Sequence, residues 1–254
     1  MSEKLAIEGG RPVREEVLPF VPEEAYIGDG EVEAVLEVLR TKRLSQLTSE
    51  KVKEFEEAFA KYYGVGHAIA VSSGTTALHA ALAATGIGPG DEVLLPPYTF
   101  VATANAILHQ NAVPVFVDID PKTYNIDPEA IERAITDRTK AVIPVHMLGQ
   151  PADMDPIMEI AEDRGLVVIE DCAQANGAEY KGRKVGTFGD MGCFSFYANK
   201  NMTSGGEGGM IITDDGDLAE RAGSIVNHCR VKASPYRYVP AHNVYWGLGY
   251  NYRM

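Results

Sequence analysis

The sequence predicts an α/β fold in three layers, a mostly parallel central sheet covered by helices on both faces. Two observations predict it. Short runs of apolar, β-branched residues recur along the chain, as in HAIAVSS, EVLLPP, VPVFVDID, KAVIPVHML and LVVIEDC, and they are apolar throughout, without a polar alternate. Between them lie segments whose apolar residues follow helical spacing, so strand and helix alternate at lengths that suit crossover units. With 254 residues, 45% of them apolar, the chain can bury a large core, and disorder as the dominant state is excluded.

Residues 1–45 are polar and proline-bearing and read as an N-terminal arm with a helix over 30–41, where Val32, Val35, Leu36 and Leu39 share a face. Residues 46–254 read as the main domain. A helix over 49–63 puts Val52, Phe55 and Phe59 on one side and charge on the other. Strand 67–73 leads into helix 75–86, and strand 92–97 into helix 100–110. Strands 113–120, 140–148 and 166–172 follow, separated by helices 127–135 and 153–165. GAEYKGRKVG resembles a hairpin; the strands CFSFYA and GMIITDD and a helix over 216–227 complete the pattern. No helix or polar tail closes the chain after YWGLGYNYRM, an abrupt ending.

A formal charge of −13 opposes nucleic acid and anionic membrane surfaces as partners and points to small-molecule chemistry. The three cysteines, Cys172, Cys193 and Cys229, have neither metal-type nor redox-type spacing, and three is a poor number for a disulfide framework. No signal-type or membrane-spanning apolar run is present, so the expectation is a soluble cytoplasmic protein, and the Asn201-Met202-Thr203 sequon is set aside. No His, Cys or carboxylate cluster has metal-site spacing, so no metal is expected.

Ligands of open α/β sheets gather beyond the carboxyl ends of the strands, so the residues just after each apolar run are the candidates. Ser72-Ser73-Gly74-Thr75-Thr76 sits between strand and helix, where free N–H groups and the helix dipole favour an anion, although a capped helix start explains that segment alone. Asp171 ends LVVIED, and behind five apolar residues a carboxylate wants a cationic partner such as a protonated pyridine nitrogen. Lys200 follows the strand that holds Ser195 and precedes the glycine-rich 205–209, which lets backbone approach a ligand. Phe100, in Pro96-Pro97-Tyr98-Thr99-Phe100, can cover a flat ring, though core packing is the commoner fate of such a residue. Gly86-Ile87-Gly88-Pro89-Gly90 precedes a strand instead of following one, which disfavours a dinucleotide site. Structural roles are expected of His67, His79 and His109, while His146 and His228, near element ends, are substrate-site candidates.

Seven segments, in order, resemble the DegT/DnrJ/StrS-type sugar aminotransferase family of fold-type-I pyridoxal-phosphate enzymes: FEEAFAKYYGV, AVSSGTTALHAAL, GPGDEVLLPPYTFVAT, VPVFVDIDPKTYNID, IERAITDRTKAVIPVHMLGQPADMD, the run from Val167 to Met210, and GYNYRM. The resemblance implies an aspartate-aminotransferase-like large domain binding pyridoxal 5'-phosphate. It makes Lys200 the Schiff-base lysine and Asp171 the partner of the pyridinium nitrogen. Gln174 would bond the phenolic oxygen, Phe100 would stack on the ring, and Gly74, Thr75 and Ser195 would hold the phosphate. Asn251, assisted by Arg253, would reach the phosphate site of a neighbouring subunit, which implies a homodimer with shared active sites. The implied reaction moves an amino group from glutamate or glutamine to a keto-sugar, nucleotide-linked in the commonest case, or to a keto-polyol. The rivals are a sugar dehydratase of the same fold, disfavoured because that group has His where this chain has Lys200, and a non-catalytic regulatory role. Three departures stand out: one extra residue at Gly205-Gly206, Cys229 in place of a glycine, and an end at Met254 where the family continues into a small C-terminal domain, expected to be absent here.

Overall fold

The computed structural model describes residue 10 and residues 27–231 and 244–254. Most of the N-terminal arm expected over 1–45 lies outside these residues. The chain divides into two compact units, 1–40 and 41–254. In the first, helix α1 (Asp29–Thr41) carries acidic residues in its first turn and Arg40 in its last, the arrangement that suits its dipole.

The second unit opens with α2 (Lys51–Tyr63), which ends at left-handed Gly64. In chain order follow β1 (His67–Val71), α3 (Gly74–Ala84), β2 (Glu92–Leu95), α4 (Ala102–His109), β3 (Val113–Phe116), α5 (Pro128–Ala134), β4 (Thr139–Val142), α6 (Met154–Arg164), β5 (Val167–Asp171), the hairpin pair β6 (Glu179–Tyr180) and β7 (Arg183–Lys184), β8 (Met191–Ser195), β9 (Gly209–Thr213) and α7 (Gly216–Ile225). Among the described residues one sheet has seven strands in the order β1-β9-β8-β5-β4-β2-β3. All neighbours from β8 to β3 pair in parallel, whereas β9 runs antiparallel to both β8 and β1. β8 and β9 are joined by residues 196–208 without a helix, a short connection that suits an antiparallel pair, whereas β8 reaches its parallel place beside β5 through the segment that holds the β6–β7 hairpin.

The three layers follow from strand alternation. Val93, Leu95, Ile143, Ile169, Cys193 and Ile211 pack on one face with Leu78 and Leu82 of α3, Ile107 of α4 and Ile225 of α7. Leu94, Val142 and Val168 face the other way, onto Ile131 of α5 and Ile157 of α6. That second face continues in Phe194, Met210 and Ile212, which meet Phe59 and Tyr63 of α2. The strands are apolar throughout because both of their faces are covered.

The last residues pack as an extended segment. The N–H of Ser72 donates to Tyr252 O (2.8 Å), and the N–H groups of Tyr250 and Tyr252 donate to Ile225 O and Val226 O. The Tyr250 and Tyr252 rings stack 4.8 Å apart, and the Tyr252 hydroxyl lies 3.0 Å from Nδ1 of buried His79, which gives His79 its structural role. Among the described residues, no helix is long and apolar enough to cross a membrane.

Candidate active site

A cavity of about 350 Å³ opens at the carboxyl ends of the parallel strands. Gly74 and Thr75 reach it after β1, Phe100 after β2, Asp171 and Gln174 at and after β5, and Ser195 and Lys200 at and after β8. Of the eight residues that the resemblance assigns to the cofactor, all but Asn251 thus meet in one place.

The first turn of α3 forms one wall. Ser73 caps the helix, its hydroxyl accepting from the N–H of Thr76 while Thr76 Oγ1 accepts from the N–H of Ser73. The N–H groups of Gly74 and Thr75 have no acceptor within a helix that starts there, and both residues line the cavity. Capping and anion binding are therefore compatible, because they use different N–H groups. Gly74 is required by close approach: a Cβ there would stand 2.8 Å from the Ser195 Cβ. Gly209 meets the same constraint, since its Cβ would lie 2.5 Å from the main chain of Ser73. Gly74→Ala is expected to push β8 away from α3, costing about 1–3 kcal/mol as overpacking. A urea titration of the variant checks this, and an unchanged midpoint contradicts it.

Asp171 is 5% exposed. Burial pushes its carboxyl above the usual aspartate range, while the N–H of Ala173, the hydroxyl of Thr103 and the charge of Lys200 pull it down. Ala173 N donates to Oδ1 (3.1 Å) and Thr103 Oγ1 to Oδ2 (2.8 Å).

One residue earlier, Glu170 points to the opposite face of β5. Its oxygens accept from the N–H groups of Gly186 (2.7 Å), Phe188 (2.7 Å) and Gly189 (2.8 Å) and from His146 Nε2 (3.0 Å). Nδ1 of His146 accepts from the N–H of Ala152, which puts the ring proton on Nε2. His146 is fully buried in this network, so the expectation that it is a substrate-site residue is corrected. Val145 lines the cavity in its place, because consecutive residues at a strand end face opposite ways. Ligand atoms of His146, Glu170 and Cys172 lie within 4.8 Å of one another, a proximity their spacing did not suggest. The Glu170 oxygens and both His146 nitrogens are already engaged by hydrogen bonds, however, so the trio reads as a structural knot. Glu170→Gln would turn an amide N–H2 toward N–H donors and should destabilise the fold by on the order of 3 kcal/mol. Chemical denaturation measures the loss.

Gln174 Oε1 accepts from the N–H of Leu148 (3.0 Å), a residue held at a φ of +54°, so the Gln174 amide nitrogen is left as its free donor. Phe100 is 68% exposed, so its ring is not packed into the core. Lys200 closes a turn with its N–H on Tyr197 O (2.8 Å). The extra glycine lies farther along this loop, where Gly205 adopts a φ of +85° with nothing within 4 Å of a Cβ position. Cys229 is buried, its thiol donating to Leu248 O. Asn251 does not line the cavity; it is exposed and pairs with Asn227. Arg253 bonds the Asn227 side chain, and His228, at a φ of +64°, is likewise outside the cavity lining. Sequence reasoning passed over Thr99, Thr103, Tyr197 and Glu207.

The sequence model of the DegT/DnrJ/EryC1/StrS aminotransferase family matches residues 25–254. The chain belongs to this family. It is 48% identical over 240 residues to the GDP-perosamine synthase of Caulobacter vibrioides, covering 93% of this chain and 62% of that protein. It is 44% identical over 241 residues to the L-glutamine:2-deoxy-scyllo-inosose aminotransferase of Streptomyces kanamyceticus, covering 93% of this chain and 55% of that one. Its fold matches the crystal structure of NtdA from Bacillus subtilis with bound cofactor PMP, with a TM-score of 0.82 and 36% identity over 95% of this chain and 54% of that one. The seven-stranded, mostly parallel sheet is thus that of fold-type-I aminotransferases. The chain spans little more than half to about three-fifths of the length of these relatives.

Proposed function

We propose that this family member binds pyridoxal 5'-phosphate in the cavity and, within the whole protein, moves an amino group from glutamate or glutamine to a keto-sugar or keto-polyol. The observation that carries the reading is the joint presence in one cavity of a buried carboxylate, Asp171, a lysine amine, Lys200, and a helix start with unengaged N–H groups at Gly74 and Thr75. The donor set fits the cofactor: an anion site for the phosphate, closed against any side chain at Gly74, and an acid buried deep enough to need a cationic partner. When bound, pyridoxal phosphate supplies the carbonyl that takes up the amino group and the ring that draws electrons from the donor carbon.

The residues divide the remaining work. Asp171 holds a proton on the ring nitrogen. Gln174, its oxygen engaged by Leu148, turns its amide nitrogen to the phenolic oxygen. Phe100 covers one ring face, and the N–H groups of Gly74 and Thr75 with the Ser195 hydroxyl take the phosphate. Lys200 Nζ would tether the cofactor and would be the general base for the proton on the donor carbon. Asn251 and Arg253, outside the cavity of their own chain, serve the phosphate site of a second subunit in a homodimer.

The names of the two curated relatives, a GDP-sugar synthase and an inosose aminotransferase, bracket the acceptor class. The preferred acceptor is a nucleotide-linked 4-keto or 3-keto hexose. The purified chain mixed with pyridoxal phosphate should develop a visible band that borohydride abolishes, leaving the cofactor on the peptide containing Lys200. No band, or labelling elsewhere, overturns the reading of the site. Release of 2-oxoglutarate from glutamate across a panel of keto-sugars and keto-inositols tests the acceptor, and reaction with keto-inositols alone overturns the sugar preference.

A further inference from the structure

Asp171 cannot remain a carboxylate at 5% exposure without donors, and the two it has differ in kind. Ala173 N is supplied by the turn after β5 itself, whereas the second donor comes from another layer: Thr103, on the first turn of α4 and fully buried. The Thr103 hydroxyl lies 2.8 Å from Asp171 Oδ2, 2.8 Å from the Thr99 hydroxyl and 3.2 Å from Phe100 O. One proton cannot serve all of these, so the set has a direction. With Asp171 ionised, Thr103 donates to Oδ2 and Thr99, which lines the cavity, donates to Thr103. With Asp171 protonated on Oδ2, the acid donates to Thr103 and the Thr103 proton turns to Phe100 O. Neither state strands a buried polar group, and in the ionised state the two hydroxyl bonds polarise each other.

We propose that Thr103, backed by Thr99, is a positioning residue for Asp171: a hydroxyl relay from the cavity wall that pins Oδ2 and keeps the acid ionised against burial. Other groups around Asp171 do not replace it. Glu170, its neighbour on β5, is turned to the opposite face and engaged by Gly186, Phe188 and Gly189. The thiols of Cys172 and Cys193 are pushed up by burial and stay neutral. Lys200 contributes charge but forms no hydrogen bond to Asp171 among the described residues, and both ring nitrogens of His146 are engaged by Glu170 and Ala152. The relay rests on the proposed function only for the identity of the ring that Asp171 serves.

The test reads Asp171 directly. In the cofactor-free protein, the ¹³C carboxyl signal lost in Asp171→Asn reports the titration of this one acid. Thr103→Val should move its midpoint upward, Thr103→Ser should restore it, and Thr99→Val should move it in the same direction by less. With pyridoxal phosphate bound, Thr103→Val should also weaken cofactor affinity roughly tenfold, as expected for a lost hydrogen bond to a charged group. A midpoint unmoved in Thr103→Val, or not restored by Thr103→Ser, overturns the relay. If Thr103→Val fails to fold, the Thr99→Val midpoint decides, and no shift there overturns it equally. A chain that binds no pyridoxal phosphate sinks the proposed function while leaving the cofactor-free titration to judge the relay.

Discussion

Lys200→Ala is expected to abolish borohydride-stable retention of the cofactor and to lower turnover by on the order of 10³–10⁴-fold, the loss implied by its proposed roles as oriented base and covalent tether. The expectation follows from where Lys200 stands. It lines the same cavity as Asp171, and its charge is felt by that acid, yet the protein hydrogen bond identified for it uses the main-chain N–H, on Tyr197 O. Truncation therefore leaves the turn intact, and the variant should melt within about 0.5 kcal/mol of the parent, as substitutions away from packed features do. Activity and stability thus separate. A variant that still retains the cofactor after borohydride treatment places the tether on another amine, and one that unfolds makes Lys200 a structural residue. Single-turnover absorbance with glutamate, run beside a thermal melt, distinguishes these outcomes.

Most of the cavity was legible because a parallel sheet delivers its strand ends to one side. Gly74, Asp171, Ser195 and Lys200 each follow an apolar run, and that topological fact brings them together across more than a hundred residues of chain. Which face a strand-end residue takes was less legible. His146 and Val145 sit at the same end of the sheet, yet Val145 reaches the cavity and His146 lies with Glu170 beneath it. Alternation decides between them, and its phase is set by the neighbouring strands. Thr103 escaped notice for another reason. It belongs to a helix, and its role arises only when the α4 layer is laid over β5, a tertiary juxtaposition with no local signature.

The second large effect belongs to Asp171, where function and stability should pull in opposite directions. Its folded pKa is raised above that of a free aspartate, by burial first. A carboxyl so shifted contributes stability that is fully present below its unfolded pKa and lost as pH rises through the folded value. At neutral pH the cofactor-free protein therefore carries an uncompensated cost, which Asp171→Asn removes. The amide can still accept from Ala173 N, and it can donate to Thr103 if the Thr103 proton turns to Phe100 O. Asp171→Asn should thus be more stable than the parent at neutral pH, by about 1 kcal/mol, with the advantage shrinking as both are taken to acid. The same change removes the negative charge proposed to hold a proton on the ring nitrogen, and turnover should fall by roughly 10²–10³-fold. Urea titrations at pH 4 and pH 7.5, set beside turnover with glutamate, test both halves. A variant less stable than its parent at pH 7.5 would mean that the charge of Lys200 outweighs the desolvation of Asp171, reversing the stated direction. A variant that turns over normally would remove Asp171 from the chemistry altogether.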